Sequence, residues 1–356
     1  MKNIFIHIIA SLFFIILISC DDSNNNKLSI KFNKSETLTQ FSDFSINEDS
    51  LGKVEGIFCS DNYLIVFGLY EEYLYSIFDC SSGQFINRFG QIGQGSDEIP
   101  FGSQGYADKK YFYIFNDQVK QIYSINLDSL KHENNSKLMK RFVKYNIPNA
   151  QFSKLLVTSD STFIGIGDFQ TGNLYTLFNY NNNILDSNIK SYNAENKAFN
   201  NYTRFISNQG CVTIHPKKKK FAFSPFFSSN IDFIEITDNK ISPINLLRLE
   251  NPLYDALTEG NGTVFRAIPS REAITGYIDL CSTSEYVYAL HSSKKLYENW
   301  RKSTEILIFD WEGNPIKQYI LDKEAYHIAV NERLNRIYVT IENDNGDWDI
   351  VCYKLT

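Results

Sequence analysis

The stretch EILIFDWEGNPIKQYILDKEAYHIAVNERLNRIYVTIENDNGDWDIVCYKL, residues 305–355, is strand after strand with a turn at each joint. Residues 306–309 are β-branched and aromatic, 311–315 (WEGNP) carry turn chemistry, and 316–321 resume the strand pattern. Residues 325–330 and 337–341 follow, and Asn345-Gly346, a strong hairpin signal, stands before 350–355. The pattern is an antiparallel meander, and degraded copies of it recur upstream.

The easiest feature to align is an aromatic and β-branched strand that follows a polar turn. It appears at 63–67, 111–115, 163–166, 221–223, 286–290 and 337–341, and a second strand follows each time at 74–78, 121–125, 174–178, 231–236, 306–309 and 350–353. Copies recur every ~50 to 65 residues, the range of propeller blades once loop insertions are allowed. The fold class is therefore all-β, a six-bladed β-propeller of four-stranded antiparallel blades over residues 28–356. With strands labelled A to D from the channel outward, the sixth copy runs out after C. A ring left open would expose edges, so an N-terminal strand, 28–32 or 41–46, is expected to supply the missing D and close it. In a meander the A–B and C–D turns share one face, here short, whereas the B–C and D–A loops share the other, here long. Binding residues concentrate on long loops held by rigid scaffolds.

Composition agrees with a β-rich chain: 15% of residues are aromatic, including 28 Phe and 22 Tyr. The formal charge of −6 is spread along the chain without a basic stripe, which argues against a nucleic-acid partner. Residues 1–20 read as a leader rather than as fold: Lys2 precedes a nearly all-apolar run, and Leu17-Ile18-Ser19-Cys20 ends it. This end resembles the lipobox of bacterial lipoproteins, which implies cleavage before Cys20 and acylation of its sulfur. Residues 21–27 (DDSNNNK) read as a flexible tether. The expected location is the cell envelope, as an outer-membrane lipoprotein held by its lipid. Cys59, Cys80, Cys211, Cys281 and Cys352 remain, an odd number without a CxxC pair, and read as small buried hydrophobes. An exported protein also admits one bridge, for which Cys59 and Cys80 are the candidate pair.

The residues Arg88-Phe89-Gly90-Gln91-Ile92-Gly93-Gln94-Gly95-Ser96-Asp97-Glu98 and 309–315 (FDWEGNP) through Leu321-Asp322 carry a family likeness. In them the chain resembles the TolB-like six-bladed β-propeller lipoproteins, known mainly as uncharacterised cell-envelope proteins. The family loop usually reads Gly-Gln-Gly-Pro-x-Glu; Ser96 stands here in place of the proline, while Gly93, Gly95 and Glu98 are kept. The resemblance implies the fold and the lipoprotein character and no established reaction.

Reaction motifs are weak. Residues 90–95 are glycine-rich, but no Lys-Ser/Thr follows and Pro100 and Gly102 stand where a helix would start, so the glycines read as turn formers rather than a phosphate loop. There is no G-x-S-x-G, and His132, His215, His291 and His327 lie far apart in sequence and read as ordinary surface or core histidines. Zinc spacings are absent, and 344–349 (DNGDWD) reads as a hairpin turn rather than a calcium loop, so neither metal nor cofactor is expected. The basic run 217–220 reads as a solvated turn.

The long segments 250–273 and 292–303 carry, in or beside them, Arg266, Arg271, Tyr277, Tyr297, Trp300 and Arg301. Aromatics stack on sugar or peptide faces and arginines pair with carboxylates, so these residues are the candidate binding patch. The competing reading is that Tyr297 and Trp300 cap a hydrophobic gap over the fifth blade. The functional expectation is a binding or scaffolding module for a protein, peptide or glycan, more a binder than an enzyme. Its rivals are a metal-dependent lactonase or lyase, which would gather ligands at the central channel, and a purely structural lipoprotein. Fold alone does not decide among them.

Overall fold

Twenty-six strands are formed by the described residues of the protein. In the computed structural model, residues 30–46, 51–95, 98–100, 104–108, 110–116, 118–131, 139–145, 151–167, 172–197, 199–260 and 264–355 are described. The leader, Cys20, the tether, Ser96, Asp97 and His132 lie outside the described residues. After β1 (Ser35–Thr37), blade I is β2 (Lys53–Cys59), β3 (Tyr63–Tyr70), β4 (Tyr73–Asp79) and β5 (Phe85–Gln91). Blade II is β6 (Gln104–Ala107), β7 (Tyr111–Asn116), β8 (Gln121–Asn126) and β9 (Met139–Lys144). Blade III is β10 (Lys154–Val157), β11 (Thr162–Ile166), β12 (Tyr175–Asn179) and β13 (Ile184–Asp186), and a short helix α1 (Asn201–Ser207) leads to the next blade. Blade IV is β14 (Gly210–Ile214), β15 (Lys220–Pro225), β16 (Ile231–Thr237) and β17 (Lys240–Leu247), followed by a separate hairpin, β18 (Tyr254–Thr258) and β19 (Val264–Pro269). Blade V is β20 (Tyr277–Ser282), β21 (Tyr286–His291), β22 (Ser303–Asp310) and β23 (Pro315–Ala325), and blade VI is β24 (His327–Asn331), β25 (Arg336–Glu342) and β26 (Trp348–Lys354).

Each aligned strand of the sequence reading is the second strand of its blade, and each strand after it is the third. The second strands are apolar along their length rather than alternating, because each blade is covered on both faces by its neighbours. Leu64 and Ile65 of β3 point to opposite sides of the sheet and are both fully buried. Short turns follow from local chemistry. The Asp79 carboxylate accepts the N–H groups of Ser81 and Ser82 at 2.9 and 3.0 Å, and Asp310 accepts those of Glu312 and Asn314 at 3.0 and 2.8 Å. The glycines that end these turns, Gly83 and Gly313, both hold φ of +80°, a conformation other residues rarely adopt.

Ring closure comes from the N-terminus, as a strap rather than a full strand. β1 lies parallel on the outer edge of β23, pairing Ser35 with Gln318 and Thr37 with Ile320. The chain then crosses to blade VI, where Gln40 bridges Tyr353 in antiparallel sense and the Phe41 N–H donates to the Cys352 carbonyl at 2.7 Å. Residues 39–41 thus occupy the fourth-strand place of blade VI. The strap continues to blade I, with Phe44 and Ile46 buried beside Ile57, Phe78 and Tyr338. Lys31–Thr356 forms one compact unit.

Hydrophobic clusters join blades I–II, II–III, III–IV, V–VI and VI–I. Among the described residues no such cluster spans blades IV and V. That seam is also where the β18–β19 hairpin is inserted, in a segment that the sequence reading treats as loop.

The Cys59 and Cys80 sulfurs lie 3.2 Å apart, from the end of β2 and the turn after β4. Burial pushes the Cys59 thiol well above its ordinary range, which slows its attack as a thiolate; closing the bridge removes two hydrogens from the pair, taken up by an exchanging disulfide that is reduced to two thiols. Protein recovered from an oxidising compartment is expected to resist alkylation at Cys59 and Cys80 until reduced, and to gain about 3 kcal/mol in urea unfolding over its reduced form. Alkylation of both thiols in unreduced, unfolded protein would count against it.

Candidate functional site

The six inner strands β2, β6, β10, β14, β20 and β24 enclose a central cavity of about 880 Å³. It runs from Lys53, Leu69 and Phe226 on the loop-rich face to Asp61, Asp108, Pro216 and Glu332 at the short turns. Its wall is mostly apolar, with Ile57, Leu155, Leu156, Val212, Ile278 and Leu280 among the lining residues. An apolar chamber of this size with a few convergent polar groups is the usual form of a small-ligand site.

Strand starts put the polar groups near the loop-rich end, because every inner strand runs from that face towards the short turns. Glu55, Lys154, Asp279 and His327 come from blades I, III, V and VI. The Asp279 carboxylate is fixed by the N–H groups of Leu280 and Ile328, both at 2.9 Å, and His327 Nδ1 lies 3.6 Å away. Burial depresses the Lys154 ammonium below its usual range, while Cys211 and Asp279 pull it back. A cation in this setting favours an anionic or strongly accepting group brought in by a ligand. At the other end two of the acids are engaged with neighbours: Asp108 pairs with Lys218 at 2.7 Å, and Glu332 accepts the Ser284 N–H at 3.3 Å. Among the described residues no set of three or more His, Cys, Asp and Glu gathers in a way that could hold a metal ion.

The candidate patch residues differ in exposure. Tyr277 opens β20 and is only 1% exposed, packed on the His291 ring at 5.3 Å and on Phe309 at 6.2 Å. Its role is packing, because its ring is enclosed by blade V and does not line the central cavity. Trp300 lies 5.2 Å from Phe227 and 6.5 Å from Phe226, the Arg301 guanidinium covers its ring at 5.1 Å, and Tyr254 meets Phe227 at 5.7 Å. These rings make an aromatic shelf from blade V across to blade IV and the hairpin. Tyr297 is 69% exposed beyond it. Arg266 on β19, opposite Leu257 of β18, and Arg271 after that strand are exposed.

The family loop is structural in its contacts. Glu98 folds back so that its carboxylate accepts the Gly95 N–H at 2.7 Å, and a Cβ on Gly93 would stand 1.8 Å from the same oxygen. Glycine is needed at 93 for this close approach rather than for a left-handed backbone, which Gly90 alone adopts among the described residues of this loop.

The seam between blades IV and V was hidden from sequence reasoning. In place of an aliphatic cluster it holds the ring pair Phe233–Phe309, 5.7 Å apart, and a set of buried hydroxyls. Among the described residues, Ser228, Thr275 and Ser292 have no hydrogen-bond partner for their side-chain oxygens. Buried hydroxyls are normally paired, so three orphans in one place mark a spot where water or a ligand group belongs.

Comparison with known proteins agrees with this architecture. A crystal structure of a Bacteroides fragilis protein assigned as exported superposes with a TM-score of 0.50 at 12% identity, covering 90% of this chain and 98% of that one. A member of the duf4221 family from Bacteroides vulgatus superposes with a TM-score of 0.52 at 12% identity, covering 89% and 97%. At such identities the likeness shows the fold alone. No curated protein matches the sequence. The family model described as TolB-like 6-blade propeller-like matches residues 56–333, and the chain belongs to that family.

Proposed function

We propose that the protein is a lipid-anchored binding module of the cell envelope, which receives a protein, peptide or glycan at its loop-rich face and takes one group of that partner into the central cavity. The observation that carries the reading is the 880 Å³ chamber with Lys154 set among apolar walls near its loop-rich end. An ammonium whose charge is disfavoured by burial gains most from a ligand carboxylate, so peptides with a free C-terminus and acidic oligosaccharides are the classes to try first. Acylation at Cys20 would hold the body at a membrane surface. The direction of β1, parallel to a strand that leaves the short C–D turn, supports a tether on the short-turn side and a partner face turned away from the lipid.

Calorimetric titration of the folded chain with panels of both classes is expected to find a binder that Lys154→Met weakens about 10-fold or more, the effect of losing one charge-assisted hydrogen bond. Absence of binding in both panels, or equal binding by the Lys154→Met variant, would sink the cavity reading. For the anchor, the cell-expressed chain should partition into detergent and Cys20→Ser should not.

A further inference from the structure

We propose that Ser229, His291 and Glu305, at the seam of blades IV and V, form an acyl-transfer site that hydrolyses esters with an apolar acyl group. This goes beyond the binding module, because the three residues do not line the central cavity. Ser229 lies in the B–C loop of blade IV, and its Oγ is 3.4 Å from His291 Nε2. His291 ends β21 directly opposite Glu305 on β22, and the other ring nitrogen, Nδ1, is 2.7 Å from the Glu305 carboxylate. Nucleophile, base and orienting acid thus stand in line, with the looser first contact usual before a substrate is bound. The His291 and Glu305 side chains are 15% and 32% exposed, so the site is open to solvent.

Two independent observations point to a substrate here. The first is the set of orphan hydroxyls. Ser228 adjoins the nucleophile, Ser292 adjoins the base, and Thr275 adjoins Gly276, whose carbonyl accepts the Ser292 N–H at 2.8 Å. Gly276 is pressed so closely on blade IV that a Cβ there would stand 1.9 Å from the Ser228 carbonyl oxygen. The backbones of all three residues therefore meet at one locus, each residue is at least nine-tenths buried, and each keeps an O–H of the kind that can hold the oxygen of a tetrahedral intermediate. The second is the aromatic shelf. Phe227 is two residues before Ser229, and Trp300 is carried by the loop that follows His291. An apolar acyl chain on this shelf would lie beside the nucleophile.

The chemistry balances with water as the only co-reactant. His291 Nε2 takes the Ser229 proton as Oγ bonds to the ester carbonyl carbon; collapse breaks the carbon–oxygen bond to the leaving group, which receives that proton and departs as an alcohol. Water then attacks the acyl-serine by the same route, releasing the carboxylic acid and restoring Ser229. Glu305 acts through His291 as a positioning residue.

The test is covalent labelling of the folded chain with an alkyl fluorophosphonate, read by intact mass and peptide mapping. One adduct on Ser229 with loss of fluoride is expected, and Ser229→Ala and His291→Gln should remain unmodified while keeping the parent's thermal transition. Hydrolysis of p-nitrophenyl butyrate should fall on the order of 100-fold or more in each variant. Glu305→Gln should lower kcat with KM unchanged, and Glu305→Asp should recover part of it. No adduct on the parent chain, an adduct on another residue, or ester hydrolysis unchanged in Ser229→Ala would overturn the proposal.

Discussion

Removal of residues 30–46 is expected to leave a chain that no longer unfolds as a cooperative monomer. Blade VI contributes only β24, β25 and β26, so the edge of β26 is covered by the strap through the Gln40–Tyr353 bridge and the Phe41–Cys352 hydrogen bond. Leu38, Phe44 and Ile46 are buried to 3%, 6% and 7% exposure and fill the V–VI and VI–I seams. Burial of three such side chains contributes about 5–9 kcal/mol at ~1.5–3 kcal/mol each. A whole domain is stable by only about 5–15 kcal/mol, so the loss is comparable with everything that holds the ring together. The uncovered edge would also offer itself to another chain. Urea unfolding and size-exclusion chromatography of residues 51–356 beside 30–356 would check this, and equal midpoints with a monomeric peak would refute it.

Asp232→Ala is expected to cost about 3–5 kcal/mol, the usual penalty for removing one partner of a buried ion pair. The Asp232 side chain is fully buried and accepts from Arg248 Nε at 2.9 Å and Nη2 at 2.5 Å, and from the hydroxyls of Tyr175 at 2.7 Å and Tyr192 at 2.9 Å. These partners come from β12, the link after β13, and the link after β17, so one carboxylate ties blade III to blade IV. Burial alone would disfavour the Arg248 charge, yet its hydrogen bonds to Asp232 outweigh it and raise the guanidinium above its usual range. Burial likewise raises both tyrosines, which stay neutral donors. Without the carboxylate, a half-buried cation and two buried hydroxyls lose their acceptor together. Asp232→Asn, which keeps the shape and one acceptor oxygen, should cost less. The check is the difference in urea unfolding free energy, and a change under about 1 kcal/mol, the level of an exposed ion pair, would contradict the account.

Much of this protein could be read from residues in a row. The runs YLIVF, YFYIF and YVYAL, with an Asp- or Ser-rich turn before each, place the second strand of a blade, because strand propensity and turn chemistry act over a few neighbours. A sixth copy lacking its last strand called for closure from the N-terminus, because an open ring would expose edges. What neighbours could not reveal is the form of closure: residues 39–41 hold their place through a single bridge, backed by Leu38, Phe44 and Ile46 in gaps between blades. The β18–β19 hairpin was legible only as a long segment, since it pairs with no blade.

The candidate sites were the least legible of all. Lys154, Asp279 and His327 belong to three different blades and face one chamber only after the ring has closed. Ser229 reaches His291 across a seam, and Glu305 reaches it across a strand pair, whereas Tyr277, placed by sequence among binding residues, is turned inward against His291 and Phe309. Local propensity and turn chemistry determined where the strands lie and how many blades they make. The order of the blades around a common axis, a property of long-range packing, decided which side chains meet.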